Sequence, residues 1–166
     1  MSKVYLSLGS NLGDREDALC RALTLLAAAV SVQAVSALYE TDPVGYAAQG
    51  PFLNAVVRGE TGLAPGDLLA KAKEIEQQVG RTPTVRWGPR VVDVDILMYG
   101  EARVREEGLE IPHPRLAERR FVLTPLREIA GDLVHPVTME RIADLEAKAR
   151  QTSEVRLWKE RDKCTK

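Results

Sequence analysis

Residues 91 to 99 read Val-Val-Asp-Val-Asp-Ile-Leu-Met-Tyr, which is the clearest strand pattern in the chain. Its alternation is typical of a β-strand, because successive side chains of a strand point to opposite faces of the sheet. One face would carry only apolar side chains, from Val92, Val94, Ile96 and Met98. The other face would carry Val91, Asp93, Asp95, Leu97 and Tyr99. We therefore expect a strand with one face on the core and two carboxylates on the other.

The same patterns extend outward from this strand. Alternation or β-branched content predicts strands over residues 3–8, 31–39 and 52–58. Helical spacing predicts helices over 14–29 and from Pro65 to Val79, with Gly80 as a cap, and two more over 123–130 and 138–149. Residues 100–119 would be mostly loop with a short hairpin. This order predicts an α+β fold: a ferredoxin-like sheet with helices packed mainly on its faces, flanked by long catalytic loops.

Composition limits the classes of protein to consider. The 166 residues suit one domain, which we assign to 1–150, with 151–166 as a polar C-terminal extension of the same domain. A net charge of -1 argues against nucleic acid as a partner. The chain shows neither a signal-peptide pattern nor an apolar run long enough to span a bilayer, so we expect a cytoplasmic protein without a membrane partner. We also expect it to be a monomer. Cys20 and Cys164 lie far apart and suggest no disulfide framework, which fits a reducing compartment.

The two aspartates would lie roughly 7 Å apart on one strand face, at about 3.3 Å per residue. Burying either charge without a partner is costly, so a positive group is expected beside them. Magnesium prefers oxygen ligands and is commonly held by one or two carboxylates together with substrate phosphates. Asp93 and Asp95 could hold one such ion or bridge two. The alternative is a structural salt-bridge cluster with Arg86 and Arg90.

Basic residues surround this strand in the sequence. Arg81, Arg86 and Arg90 lie within ten residues. One guanidinium group can bind two phosphate oxygens at once. Trp87 between them is either a lid residue or a core anchor. His113, held between two prolines, and the cluster of Arg115, Arg119 and Arg120 are further candidates for an anion site. Without the neighbouring aspartates, a solvated basic surface would be the default interpretation.

A second group contains both phenylalanines of the chain. Phe52 and Asn54 share one face of a predicted strand, and Phe121 lies near the basic cluster. An asparagine amide both donates and accepts hydrogen bonds, so it can read the edge of a heterocycle whose faces stack on aromatic rings. The residues alone leave the commoner alternative open, in which both phenylalanines belong to the core.

Several of these segments resemble one family. They are Gly9-Ser10-Asn11-Leu12-Gly13-Asp14-Arg15, Phe52-Leu53-Asn54-Ala55, Arg86-Trp87-Gly88-Pro89-Arg90 with Asp93-Val94-Asp95, Ile111-Pro112-His113-Pro114 and Arg119-Arg120-Phe121. In this order they are similar to the 6-hydroxymethyl-7,8-dihydropterin pyrophosphokinases, over roughly residues 3 to 145. The resemblance implies a ferredoxin-like enzyme of folate synthesis that moves pyrophosphate from ATP to the pterin hydroxymethyl group and releases AMP.

The resemblance also implies a role for each matching residue. Asp93 and Asp95 would hold two magnesium ions that bridge the ATP phosphates. Contacts to the triphosphate would come from Arg81, Arg86, Arg90, His113 and Arg119, and Trp87 would belong to a loop that closes over the site. Phe52 and Phe121 would sandwich the pterin ring, Asn54 would bind its edge, and Thr41, Pro43 and Val44 would line the pocket. A non-catalytic pterin- or nucleotide-binding protein on the same fold is the alternative.

Overall fold

The computed structural model describes residues 1–42, 50–80, 91–149 and 154–159. Its strands are β1 (Ser2–Ser10), β2 (Ser31–Val35), β3 (Leu38–Thr41), β4 (Phe52–Thr61), β5 (Asp93–Tyr99), β6 (Val104–Glu106), β7 (Leu109–Ile111) and β8 (Val155–Lys159). Its α-helices are α1 (Arg15–Leu26), α2 (Pro65–Val79), α3 (Arg120–Ala130) and α4 (Ile142–Lys148), and a short 3-10 helix covers Leu116–Glu118. The predicted α+β fold is confirmed.

In the described part of the chain, six strands form the main sheet. The order is β5-β1-β4-β3-β8, and β2 also pairs with β4. Each of these neighbouring pairs is antiparallel. Because β4 lies between β1 and the two strands that follow α1, the first half of the chain forms a split strand-helix-strand unit, as the ferredoxin-like prediction requires. β6 and β7 form a separate hairpin, at the place where the sequence predicted one.

Each face of the sheet has its own apolar cluster. Alternate residues of β1, β4 and β5 pack against α1 and α2 on one face; Leu6, Leu53 and Ile75 are fully buried there. The opposite face, with Tyr5 and Val56, packs against α3 and α4. This second cluster covers only part of its face, because the C-terminal end of β1 and the beginnings of β4 and β5 extend beyond it.

A β-bulge corrects the predicted faces of β5. Tyr5 pairs with Met98 whereas Leu6 pairs with Ile96, so Leu97 is an extra residue in the ladder. A bulge shifts the alternation by one position. As a result Met98 joins Leu97 on the α3 face, and Tyr99 packs against the opposite cluster. The predicted faces are therefore wrong beyond the bulge.

Other boundaries also differ from the sequence predictions. The single strand predicted over 31–39 is divided into β2 and β3, because Ser36 interrupts the ladder and its hydroxyl accepts the Val56 N–H at 2.9 Å. No strand was predicted after residue 150, yet β8 pairs with β3 along its length.

Cys20 is disulfide-bonded, so the expectation of cysteines outside disulfides was wrong. Among the described residues, no helix has the length and apolarity needed to cross a bilayer.

Candidate functional site

The uncovered end of the sheet forms the floor of a cavity of about 740 Å³. Small residues of β1 lie at its centre, and the segment from Arg115 to Val122 forms the wall that faces them. Seven predicted site residues line this one cavity: Thr41, Phe52, Asn54, Asp93, Asp95, Arg119 and Phe121. They come from four separate segments of the chain, which the sheet pairing and the packing of α3 bring together.

The register places the two carboxylates beside the asparagine. Asp93 pairs with Gly9 of β1, and Gly9 pairs with Asn54 of β4. Asp95 pairs with Ser7 in the next row of the same face. Asp93 and Asn54 are therefore two interstrand spacings apart, or about 10 Å between their Cα atoms. The aspartates occupy one end of the cavity floor, and Asn54 and Phe52 occupy the other.

Gly9 provides the space that the Asn54 side chain needs. A Cβ atom at residue 9 would lie 2.9 Å from Asn54 Oδ1, which is closer than such contacts occur in proteins. The Asn54 amide is buried and donates from Nδ2 to Thr41 Oγ1 at 3.4 Å. Gly9 thus leaves room for the amide on the cavity floor, and the Thr41 hydroxyl holds it there.

Basic groups face the aspartates across the cavity. Arg115, Arg119 and Arg120 all line it, and the Arg119 guanidinium lies 5.7 Å from the centroid of the Phe121 ring. Burial is the largest influence on Arg119 and lowers its pKa; Arg115 also lowers it, and Asp95 opposes them. Arginine remains a cation under these conditions. The cavity therefore has one acidic end and one basic wall.

His113 lies beside this basic wall. Its backbone N–H donates to Leu97 O at 2.9 Å, and its Nδ1 accepts the Arg115 N–H at 3.2 Å. Burial lowers the pKa of His113, Arg119 lowers it further, and Asp95 opposes both. A neutral imidazole whose Nδ1 is an acceptor carries its proton on Nε2, so His113 can donate one hydrogen bond from that atom.

Glu76 is a third carboxylate that the sequence analysis missed. Its Oε2 accepts the Val94 N–H at 2.8 Å, so α2 is bound to the outer edge of β5 between the two aspartates. Burial raises the pKa of Glu76, and the charges of Asp93 and Asp95 add to this effect. Only the folded structure reveals the contact, because a glutamate among the polar residues of a helix carries no distinguishing pattern.

Other lining residues were also missed as site residues. Ser7 and Gly9 are small residues on the cavity face of β1, and such small residues on a central strand were a usable signal. Lys148 and Val155 also line the cavity, and nothing in the sequence distinguishes them. The remaining predicted site residues lie outside the described residues: Pro43, Val44, Arg81, Arg86, Trp87 and Arg90. The salt-bridge alternative for the aspartates, which involves Arg86 and Arg90, therefore stays open.

The donors at the acidic end suit a hard cation. Asp93 and Asp95 offer carboxylate oxygens on one strand face, and these are the ligands that magnesium prefers. Within residues 1–42, 50–80, 91–149 and 154–159, no group of three or more His, Cys, Asp or Glu side chains could hold a metal ion by itself. Water and substrate oxygens are suitable further ligands, as is usual when magnesium accompanies a polyphosphate.

Comparison with known proteins gives the family. A sequence model described as "7,8-dihydro-6-hydroxymethylpterin-pyrophosphokinase (HPPK)" matches residues 5–131. The chain is 46% identical over 161 residues to the 2-amino-4-hydroxy-6-hydroxymethyldihydropteridine pyrophosphokinase of Bacillus subtilis, covering 95% of this chain and 90% of that one. It is 48% identical over 136 residues to the protein of that name from Methylorubrum extorquens, covering 81% and 86%.

Some similar proteins are much longer. The mitochondrial folate synthesis bifunctional protein of Arabidopsis thaliana is 47% identical over 133 residues, which are 80% of this chain and 24% of that protein. The crystal structure of wild-type Plasmodium falciparum HPPK-DHPS with SDX-DHP matches with a TM-score of 0.74 at 15% identity, covering 92% of this chain and 47% of that one. This chain thus spans less than half of that solved structure, and the likeness shows the fold alone. The family match and the identities over nearly the whole chain establish that this protein belongs to the 7,8-dihydro-6-hydroxymethylpterin-pyrophosphokinase family and is a pyrophosphokinase.

Proposed function

We propose that this chain transfers the diphosphate group of ATP to the hydroxymethyl group of 6-hydroxymethyl-7,8-dihydropterin in folate biosynthesis, giving AMP and the pterin diphosphate. The hydroxyl oxygen attacks the β-phosphorus, the bond from that phosphorus to the α,β-bridging oxygen breaks, and the hydroxyl proton is released. The observation that carries the proposal is the row Asp93, Gly9, Asn54 across three adjacent strands. A spacing of about 10 Å suits a metal-bound phosphate at one end and a pterin edge at the other.

Asp93 and Asp95 would hold two magnesium ions on the acidic end of the floor. When bound, the ions neutralise the phosphate oxygens and orient the β-phosphorus for in-line attack. The sequence pattern reveals no obvious general base. The carboxylate of Asp95 or Asp93 would therefore assist the attack by the pterin hydroxyl. Glu76 supports this end by binding the backbone between the two aspartates.

Arg119 and His113 would bind the phosphates from the opposite wall. A guanidinium group stabilises the charge that spreads over phosphate oxygens in the transition state. The half-buried Arg119 and the Nε2–H of a neutral His113 supply such donors beside Asp95. The family resemblance adds Arg81, Arg86, Arg90 and the loop residue Trp87 to this group.

The pterin would lie at the Asn54 end of the cavity. Phe52 and Phe121 line that cavity and would stack on the two faces of the ring, while the Asn54 amide binds its edge. Thr41 holds the amide through its hydroxyl. The resemblance assigns Pro43 and Val44 to the same pocket. We also propose a cytoplasmic location, where ATP is available to the enzyme.

An assay for AMP tests the proposal directly. The wild-type chain is incubated with ATP, magnesium and 6-hydroxymethyl-7,8-dihydropterin, and AMP and the pterin diphosphate are separated by chromatography. We expect equal amounts of the two products, and none when magnesium is removed by a chelator. Tight pterin binding without AMP release would favour the alternative of a non-catalytic binding protein.

A further inference from the structure

The C-terminal strand β8 lies beyond residues 5–131, to which the family model matches, yet it belongs to the cavity. β8 pairs antiparallel with β3 and places Val155 opposite Thr41. Both of these side chains line the cavity. The strand therefore forms the outer wall of the end that we assign to the pterin.

Arg156 binds Glu40 of β3 and Asp42, which directly follows this strand, through several ion pairs. Its NH1 and NH2 groups lie 3.3 and 3.2 Å from the two carboxylate oxygens of Asp42, and NH2 lies 3.1 Å from Glu40 Oε1. Glu154 is a weaker partner at 3.7 Å. These bonds from Arg156 hold the pKa of Asp42 below its usual range. The two-pronged contact to Asp42 fixes direction as well as distance.

From Glu40 the network continues through Arg15 to Pro51, the residue before β4. Glu40 Oε2 lies 2.8 Å from Arg15 NH1, and the same NH1 donates to Pro51 O at 2.9 Å. The Arg15 guanidinium also lies 5.6 Å from the centroid of the Trp158 ring on β8. Arg15 holds the pKa of Glu40 below its usual range, with Arg156 as the next cause. The network therefore connects residue 156 to the residue that precedes Phe52.

This network holds both sides of one cross-strand pair. Thr41 and Phe52 are partners in the β3–β4 ladder, and Asp42 and Pro51 are the residues next to them on the cavity end. Fixing Asp42 and Pro51 therefore sets the distance between Thr41 and Phe52. Thr41 in turn holds the Asn54 amide. Partly exposed ion pairs contribute little to global stability, so such a cluster is better suited to local positioning.

We propose that Arg156 is a positioning residue for the pterin end of the cavity and acts through Asp42, Glu40 and Arg15 on the Thr41–Phe52 pair. This inference rests on the proposed function for the identity of the ligand. Arg156 does not itself line the cavity, so the role is one of geometry and not of contact. ATP binding depends on the opposite, aspartate end and is independent of Arg156.

The test compares Arg156→Gln with Arg105→Gln. Arg105 is an exposed arginine on β6 that pairs with Glu110 at 3.1 Å, away from the cavity, and it is the matched control. KM and Kd are measured separately for the pterin and for ATP, together with urea unfolding. For Arg156→Gln we expect the pterin constants to rise by about three- to tenfold, the factor equivalent to one or two exposed ion pairs, with the ATP constants unchanged.

Arg156→Lys provides the rescue. Lysine keeps the charge but loses the paired geometry, so it should recover part of the pterin affinity. An equal loss of pterin and ATP affinity, or an unchanged pterin Kd in a folded Arg156→Gln variant, would overturn the inference. If wild type binds the pterin but releases no AMP, the proposed function fails, and the comparison of pterin Kd values still decides the role of Arg156.

Discussion

Gly9→Ala is expected to weaken pterin binding while leaving the fold nearly as stable as before. The added Cβ would lie 2.9 Å from Asn54 Oδ1 and 3.9 Å from Leu53 O, so the amide has to move by several tenths of an ångström. The atom that is too close ends a side chain, so rotation of Asn54 relieves the contact at low cost. The rotation breaks the 3.4 Å bond to Thr41 and turns the amide away from the pterin.

The magnitudes follow from this geometry. Alanine restricts the unfolded chain more than glycine does, which returns about 0.4–1 kcal/mol, so the net change in the free energy of unfolding should stay within about 1 kcal/mol. Two hydrogen bonds to the pterin edge at about 0.5–1.5 kcal/mol each would be lost. Their sum corresponds to an increase in pterin Kd of roughly five- to 150-fold.

Gly59→Ala provides the opposite case on the same sheet. A Cβ atom there would lie 2.6 Å from Ser31 O and 2.6 Å from Val30 Cγ1. A backbone carbonyl cannot rotate away, so the free energy of unfolding should fall by about 1–3 kcal/mol, as in other overpacked sites. Its pterin Kd should match wild type. Gly62→Ala, where nothing lies within 4 Å, should leave the pterin Kd unchanged and raise the free energy of unfolding by about 0.4–1 kcal/mol.

The assay is a fluorescence titration with 6-hydroxymethylpterin, paired with urea unfolding of each variant. The reasoning fails if Gly9→Ala binds the pterin with wild-type affinity. It also fails if Gly9→Ala loses as much stability as Gly59→Ala, because the contact at Asn54 would then not be relieved by rotation.

Three further outcomes are expected. Asp95→Ala should abolish AMP release without unfolding the apo protein, because it removes a proposed metal ligand; circular dichroism and the AMP assay decide this, and an unfolded variant would favour the salt-bridge cluster. Glu76→Gln should keep the bond from the Val94 N–H and raise the stability in urea at about pH 8 but not at about pH 4. Burial raises the pKa of the Glu76 carboxyl, so the stability that its neutral form provides is lost in the wild type as the pH rises through this raised pKa. Burial lowers the pKa values of His113 and His135, so both side chains take up protons more readily in the unfolded chain, and stability should fall as the pH drops below about 6.5. The urea midpoint of the double variant with glutamine at both positions should fall less over the same pH range.

Local patterns were sufficient for most elements and for the chemistry of the site residues. The periodicity of α2 and the proline and glycine at its ends predicted its range, Pro65–Val79 with Gly80 as the cap, as the structure has it. The carboxylate pair on one strand face predicted the acidic end of the cavity, because alternation within a single strand is a local property. The family resemblance supplied the roles, which stay predictions, as do the monomeric state and the 1–150 domain boundary.

The features that depend on long-range pairing came only from the tertiary structure. The bulge at Leu97 depends on how β5 pairs with β1, so alternation within β5 could not predict that Met98 would change faces. The contact of Glu76 with Val94 and the contacts of Arg156 with Asp42 join residues 18 and 114 positions apart, and no local pattern signals either. The sequence alone was enough to place Asp93 and Asp95 on one strand face, and their binding of a metal ion stays a prediction. What they face depends on the tertiary structure, because the packing of α3, the pairing of β4 with β1 and the pairing of β8 with β3 enclose one cavity with an acidic end, a basic wall and an aromatic pocket.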